Sequence, residues 1–175
     1  MGSQLIKILL SLLLVVLFTS CDNTKTEYLS QPLVIKDGLL YSDTLATKPY
    51  TGKHKSRMLD MKIEFEVVDG IKEGVFITYY SDDKVQISGT MKNNKNAGEW
   101  KYYFPSGAIE TTGYFDNDIP TGKWTWFNQN GKIIEEGNLS EGLREGEWKS
   151  YDTTGSLVIV RNYKNNNLID SIRIN

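Results

Sequence analysis

From Gly74 onward the apolar and polar positions of the chain recur every 24 residues. Gly74, Gly98, Gly122 and Gly146 open the units. Two residues on stands a ring, Phe76, Trp100, Trp124 or Trp148, and five residues on a second, Tyr79, Tyr103, Phe127 or Tyr151. Within each unit two stretches alternate apolar with polar, the pattern of strands with one buried face. Between them lie Asp82-Asp83, Ser106-Gly107, Asn130-Gly131 or Thr154-Gly155, and Asn-Gly is the strongest two-residue hairpin signal. A fixed period of this length marks stacked supersecondary units, so each unit is expected to be one β-hairpin.

If those two residues form the turn, cross-strand pairs have offsets from the unit's first glycine that sum to seventeen. Phe76 then faces Gly89, Trp100 faces Gly113 and Trp124 faces Gly137. A ring over a strand glycine covers backbone that the glycine leaves bare, so the Gly-x-Trp motif reads as half of a cross-strand clasp. In the last unit Trp148 faces Arg161, and a cation–π contact is expected there. Parity separates two faces. One carries Phe76, Trp100, Trp124 and Trp148 with Val85, Ile109, Ile133 and Leu157, continued by Met91, Phe115, Leu139 and Tyr163. The other carries Glu99, Lys101, Lys123, Thr125, Glu147 and Lys149, crossed by the row Tyr79, Tyr103, Phe127 and Tyr151. The tryptophan row reads as core. The tyrosine row reads as the binding seam, because tyrosine offers contact area and a hydroxyl at small entropic cost.

Upstream, Asp37-Gly38 and Asp69-Gly70 read as turns between alternating strands, and Gly52 opens a degenerate unit. Downstream, the segment from Leu168 to Asn175 reads as a closing strand. The expected fold is all-β: an elongated, single-sheet antiparallel meander of hairpin repeats with about ten to twelve strands, about 50 Å along the sheet, filling residues 32–175. Helix is expected to be almost absent after Cys21.

The N-terminus has a different pattern. Lys7 precedes the apolar run Ile8–Phe18, too short to span a bilayer and matching the apolar region of a secretory signal over residues 1–20. Thr19-Ser20-Cys21 resembles the bacterial lipobox, in which the cysteine becomes the acylated N-terminus. Several acyl chains, at roughly 0.8 kcal/mol per buried methylene, would anchor the protein to a membrane. Residues 21–31 read as lipidated cysteine and flexible tether. Asp22 resembles an inner-membrane retention signal of enteric bacteria, but other lineages sort by other rules, so a bacterial envelope location leaves both membranes open.

Composition narrows the chemistry. Cys21 is the only cysteine, which excludes disulfides and cysteine-rich metal sites, and a formal net charge of −2 gives no footing for nucleic acid. His54, the only histidine, sits in a basic stretch and reads as solvated, without partners for a triad or a metal site. Asp116-Asn117-Asp118 reads as a turn rather than a calcium loop. Glu135 and Glu136 are adjacent strand residues on opposite faces and cannot flank one glycosidic bond. Asn138-Leu139-Ser140 fits a glycosylation sequon, which has no standing in a bacterial chain. No catalytic residue, metal or cofactor is expected.

The Gly-x-Trp-x-x-Tyr pattern, its glycine-centred turn and the second glycine resemble the bacterial variant of the MORN repeat from about Gly38 to Lys164, and the segment Gly38–Lys53 resembles that family's entry segment. The resemblance implies extended sheets of hairpins that act in scaffolding, protein binding or lipid-surface contact, with some bacterial variants antitoxin-like. The resulting expectation is a membrane-anchored, non-catalytic protein-interaction or scaffold module whose partner is another protein. The alternative is an antitoxin or immunity-like protein that binds and neutralises a toxin. An envelope enzyme acting on polysaccharide lacks an acid/base pair.

Overall fold

A computed structural model describes residues 30–58 and 61–174. The apolar run Ile8–Phe18, Cys21 and most of the tether lie outside the described residues. The strands are β1 (Val34–Lys36), β2 (Leu39–Tyr41), β3 (Gly52–Met58), β4 (Met61–Val68), β5 (Ile71–Tyr79), β6 (Val85–Lys92), β7 (Lys95–Tyr103), β8 (Ile109–Asp116), β9 (Ile119–Phe127), β10 (Ile133–Ser140), β11 (Leu143–Tyr151), β12 (Leu157–Lys164) and β13 (Asn167–Arg173). Strands β3 to β13 form one eleven-stranded antiparallel sheet in chain order, as the repeat predicts, and β1 and β2 form a separate hairpin. No helix occurs among the described residues.

Two kinds of connection alternate. Between repeats the turns are two residues in the left-handed region: Asp69-Gly70, Asn93-Asn94, Asn117-Asp118, Glu141-Gly142 and Asn165-Asn166. Asn, Asp and Gly tolerate that backbone, and its twist suits adjoining strands. Within a repeat the loop is three residues rather than two. The Phe104 N–H donates to Ala108 O at 2.9 Å and the Gly107 N–H to Phe104 O at 2.8 Å, with Gly107 at φ 89°. Asp83, at φ 63°, takes the place of that glycine in the first loop.

The extra loop residue should spoil the expected register, but one extra residue in the returning strand restores it. The bulge residues are Gln86, Glu110, Ile134 and Val158. Beyond them the pairs are Phe76 with Gly89, Trp100 with Gly113, Trp124 with Gly137 and Trp148 with Arg161. Nearer the loop, Val85, Ile109, Ile133 and Leu157 oppose Tyr79, Tyr103, Phe127 and Tyr151. Opposed residues share a face, so these four belong with the tyrosine row and not, as parity suggested, with the tryptophans.

A second irregularity lies between repeats and explains the first glycine of the motif. Ser88 pairs with Lys101 and Thr90 with Ala97, so Gly89 alone faces Gly98, Glu99 and Trp100. Accommodating two surplus residues requires a left-handed residue, and Gly98 supplies it at φ 68°. The same irregularity recurs at Gly122 and Gly146. It turns the ring backward. A Cβ built on Gly89 would lie closer than 3.0 Å to the Trp100 ring, one on Gly113 meets Trp124, and one on Gly137 meets Trp148. The clasp therefore joins each tryptophan to the glycine of the preceding repeat, which corrects the expectation that Trp100 covers its own pair partner Gly113. Phe76 has no glycine behind it, because Phe65 fills that position, and Arg161 stands where no tryptophan follows.

Laid flat in this way, Trp100, Trp124 and Trp148 are 5%, 8% and 1% exposed although only one layer of sheet exists. Their rings join a continuous run from Phe76 through Trp100, Phe115, Trp124, Trp126 and Trp148 to Tyr163, with successive centroids 5.4 to 6.3 Å apart. The indole N–H groups of Trp100 and Trp148 donate to Thr90 O and Asn138 O, each at 3.2 Å. Trp124 Nε1 is buried with no such partner among the described residues.

Consecutive repeats are also stitched along the turn side. The Asn94 N–H donates to Lys72 O at 3.0 Å and its Oδ1 accepts the Lys72 N–H at 2.8 Å. Asp118 with Asn96 and Asn166 with Arg144 repeat the double bond. Pro120 has no N–H to give, and the residue opposite it is Gly142, which has no acceptor side chain; their rung keeps only the Gly142 N–H to Pro120 O bond of 2.9 Å.

The N-terminal hairpin closes the β3 end. Leu40 is buried with Phe65 and Val67, and Leu33, Tyr50, Ile63 and Phe76 surround them. Ser30 lies against β3, its N–H donating to Lys55 O at 2.8 Å and its Oγ accepting the Lys55 N–H at 2.9 Å.

The backward clasp makes Gly113→Ala expected to cost about 1–3 kcal/mol through overpacking. In a urea double-mutant cycle the loss should be relieved by Trp124→Leu and left unchanged by Trp100→Leu. Coupling of Gly113 to Trp100 instead would show that the ring closes its own hairpin.

Candidate interaction surface

Tyr79, Tyr103, Phe127 and Tyr151 end the first strand of each repeat, on β5, β7, β9 and β11. All four are half-buried. The fixings differ. Lys62 Nζ, also 3.6 Å from Asp83, lies 4.3 Å from the centroid of the Tyr79 ring, a cation–π contact. The Tyr103 hydroxyl is 3.3 Å from Ser88 Oγ. Phe127 has no hydroxyl and faces Ile133. The Tyr151 hydroxyl donates to Glu136 Oε1 at 2.7 Å, and Lys123 Nζ lies 2.7 Å from Glu136 Oε2.

These bonds set the titration of the last unit. Hydrogen bonding to Glu136 and burial push the Tyr151 phenol up to about 12. Lys123, then the Tyr151 hydroxyl, hold the Glu136 carboxyl below its usual value. A raised phenol pKa favours the fold below pH 10, a contribution lost as pH climbs to about 12; the depressed carboxylate favours it above about pH 4.5, lost as pH falls. Elsewhere on the face charges pair locally: Lys101 with Glu99 at 3.1 Å, Lys149 with Glu147 at 3.6 Å and Lys55 with Glu64 at 3.1 Å. No dominant sign develops. Exposed apolar residues lie on the same face toward the turn side: Val75, Tyr114, Ile119 and Leu143.

The opposite face is closed by its own rings and by cations unforeseen in the sequence. Arg144 stacks 4.1 Å from Trp148 and 5.2 Å from Tyr163, with Nη2 3.1 Å from Glu135 Oε2. Arg161, expected over Trp148, instead donates to Ser150 Oγ at 3.0 Å. Arg144 takes that place because it lies two residues before a unit's first glycine, opposite Leu139 on the tryptophan face. Lys72, in the same position of the first unit, lies 5.0 Å over Phe65. A basic residue recurring 72 residues apart in this frame was the available signal. Glu135 and Glu136 serve opposite faces, as expected of strand neighbours.

His54 departs from expectation. It is 4% exposed, its ring 5.0 Å from Phe65, and burial pushes its pKa below 6.5. Its place on the strand directs it, with Phe65, to the apolar face. No group of three His, Cys, Asp or Glu suited to a metal ion occurs among the described residues.

Bulged hairpins stacked side by side, each touching only its neighbours, define a hairpin-repeat protein, a class that builds extended binding surfaces by stacking. The repeats are those of the MORN repeat variant family. Residues 72–93, 97–117, 120–140 and 144–165 match it, one hairpin per match from β5–β6 to β11–β12. The β3–β4 hairpin, which Gly52 opens, lies outside the matched segments and pairs without a bulge. No curated protein matches the chain.

The Tyr151 bond can be followed spectroscopically. Glu136→Gln is expected to return one tyrosine from an ionisation near pH 12 toward pH 10 in an ultraviolet titration, and Tyr151→Phe to abolish that late step. A late step surviving Tyr151→Phe would assign it elsewhere.

Proposed function

We propose that the protein is a membrane-anchored, non-catalytic interaction module that presents the tyrosine face of its repeat sheet to another protein. The observation that carries this is the recurrence, in four consecutive units, of a half-buried aromatic ring at one position, braced by its neighbours. Fixed rings lose little entropy on binding, and tyrosine is favoured at interfaces for that reason. The apolar residues Val75, Tyr114, Ile119 and Leu143 widen the same surface. Locally paired charges select a partner by shape and contact more than by sign. The anchor is supported by the Lys7–Phe18 run and the cysteine that follows it, and lipidation at Cys21 would hold the face near a membrane of the bacterial envelope.

Two measurements test the two halves of this reading. Changing both Tyr103 and Tyr151 to Ser should leave a folded protein and reduce capture of its partner from detergent-solubilised membranes on the order of thirtyfold, since truncated interface aromatics commonly cost over about 2 kcal/mol. The paired Phe substitutions, which keep the rings, should retain most of the capture. Undiminished capture by a stable Ser variant would eliminate the tyrosine row as the interface. A captured toxin whose activity the protein blocks would identify the module as an immunity protein.

For the anchor, Cys21→Ser should leave an unprocessed precursor that takes up no fatty-acid probe. Normal maturation and labelling of that variant would refute lipidation there.

A further inference from the structure

His54 is a buried titratable group that the tyrosine face does not use. It lies on β3, where the N-terminal hairpin meets the sheet, between Phe65 at 5.0 Å and Tyr50 at 6.4 Å. Its Nδ1 is buried and has no hydrogen-bond partner among the described residues. A neutral imidazole is tolerated in such a seat, whereas an unpaired buried cation is costly.

The charged groups around the imidazole do not compensate a proton. Lys53 and Lys55, its neighbours on β3, point to the other face and pair there with Glu66 and Glu64 of β4 at 3.2 and 3.1 Å. From β5 the facing charge is Lys72, a cation, over Phe65. Asp69, in the β4–β5 turn, accepts from the Thr51 hydroxyl. In the N-terminal segment Asp43 is bonded by Thr47, Lys36, Asp37 and Lys48 are exposed, and the Tyr50 hydroxyl donates to Lys53 O at 2.8 Å. No carboxylate among the described residues bonds the imidazole.

The N-terminal segment beside this seat is held by fewer contacts than any repeat. The β1–β2 hairpin is only two short strands, a unit marginal by itself. The segment is docked by Leu40, Leu33 and Tyr50 packing on Phe65 and Val67, by two backbone bonds, Leu40 N–H to Gly70 O and Gly70 N–H to Tyr50 O at 2.9 and 2.7 Å, by the Tyr50 hydroxyl to Lys53 O, and by Thr51 Oγ1, which accepts the Asp69 N–H at 2.8 Å and donates to Asp69 Oδ1. Ser30 adds the two bonds to Lys55 described above. The repeats, by contrast, hold one another through full strand ladders and ring clasps.

We infer that the segment from Ser30 to Thr51 is a proton-released cap: with His54 neutral it closes over Phe65 and Val67 and bonds the outer side of β3 at Lys53 and Lys55, and protonation of His54 opens it. Opening uncovers an apolar patch and frees the backbone groups of Lys53 and Lys55 on an edge that no strand among the described residues pairs, so acidification would favour pairing of that edge with another strand. The inference is independent of the anchor and of the tyrosine face. The sign follows from linkage. The closed state holds the imidazole below its free value near 6.5, so as pH falls through about 6.5 the opening constant rises roughly tenfold per pH unit, levelling off below the closed-state value.

Native-state hydrogen exchange of the full chain at pH 7.5 and pH 5.0, corrected for intrinsic exchange, tests this through the amides of Leu40, Tyr50 and Gly70. Their protection is expected to fall roughly tenfold or more, while that of Lys101, Thr112 and Thr125 in the repeats stays constant. In His54→Leu the cap amides should become insensitive to pH. Cap protection that persists at pH 5.0 in the wild type, or an equal loss in His54→Leu, would overturn the inference. Should His54→Leu fail to fold, the wild-type imidazole followed by NMR must titrate with the same midpoint as cap opening, and different midpoints would overturn it equally.

Discussion

Everything in this sheet depends on a ring having somewhere flat to lie. Trp100, Trp124 and Trp148 each rest on a glycine of the preceding repeat, so tightly that no Cβ fits beneath. That contact buries an indole without a second layer, which is the usual obstacle for an open sheet with one apolar face. It also fixes the neighbouring geometry. The ring reaches backward only because two surplus residues turn the strand, and the strand can carry them only because the residue two places earlier is a glycine in the left-handed region.

Closing the apolar face in this way leaves the other without a core to bury. Its lysines and glutamates pair with near neighbours, its tyrosines are braced by a lysine, a serine or a glutamate, and its exposed apolar residues gather toward the turns. The two faces meet different demands: flatness and exclusion of water on one, braced and half-buried rings on the other. Glu135 and Glu136 show the division at the scale of one peptide, the first holding Arg144 over Trp148 and the second holding Tyr151.

The repeat, its strand pairing and the antiparallel meander were legible because they follow from a period and from turn residues. The register was also legible, though for an incomplete reason: the loop is one residue longer than its Asn-Gly signal implies, and a bulge at Gln86, Glu110, Ile134 or Val158 compensates. Parity crossed that bulge unknowingly and so placed Val85, Ile109, Ile133 and Leu157 on the wrong face. The partner of each tryptophan was hidden for a related reason, since pairing rules describe which backbones are opposite and not where a ring leans after a left-handed glycine. Arg144 was overlooked and His54 misjudged because the carboxylate that holds the first belongs to the preceding repeat and the rings around the second belong to β4 and to the N-terminal segment, none of which local charge pattern reveals.

Because each ring leans back by one unit, the stack has a sense of direction, and its two ends are not interchangeable. The first unit can use Phe76, having no glycine behind it, and the last can spend its glycine position on Arg161, having no tryptophan ahead. Interior units are equivalent in this respect. A gene that lost the 24 codons from Gly98 to Thr121 would bring Trp124 onto Gly89 and renew the same contact. Recombination between repeats can therefore lengthen or shorten the surface in whole units while the two specialised ends stay as they are, so the span of the binding face can evolve separately from its chemistry.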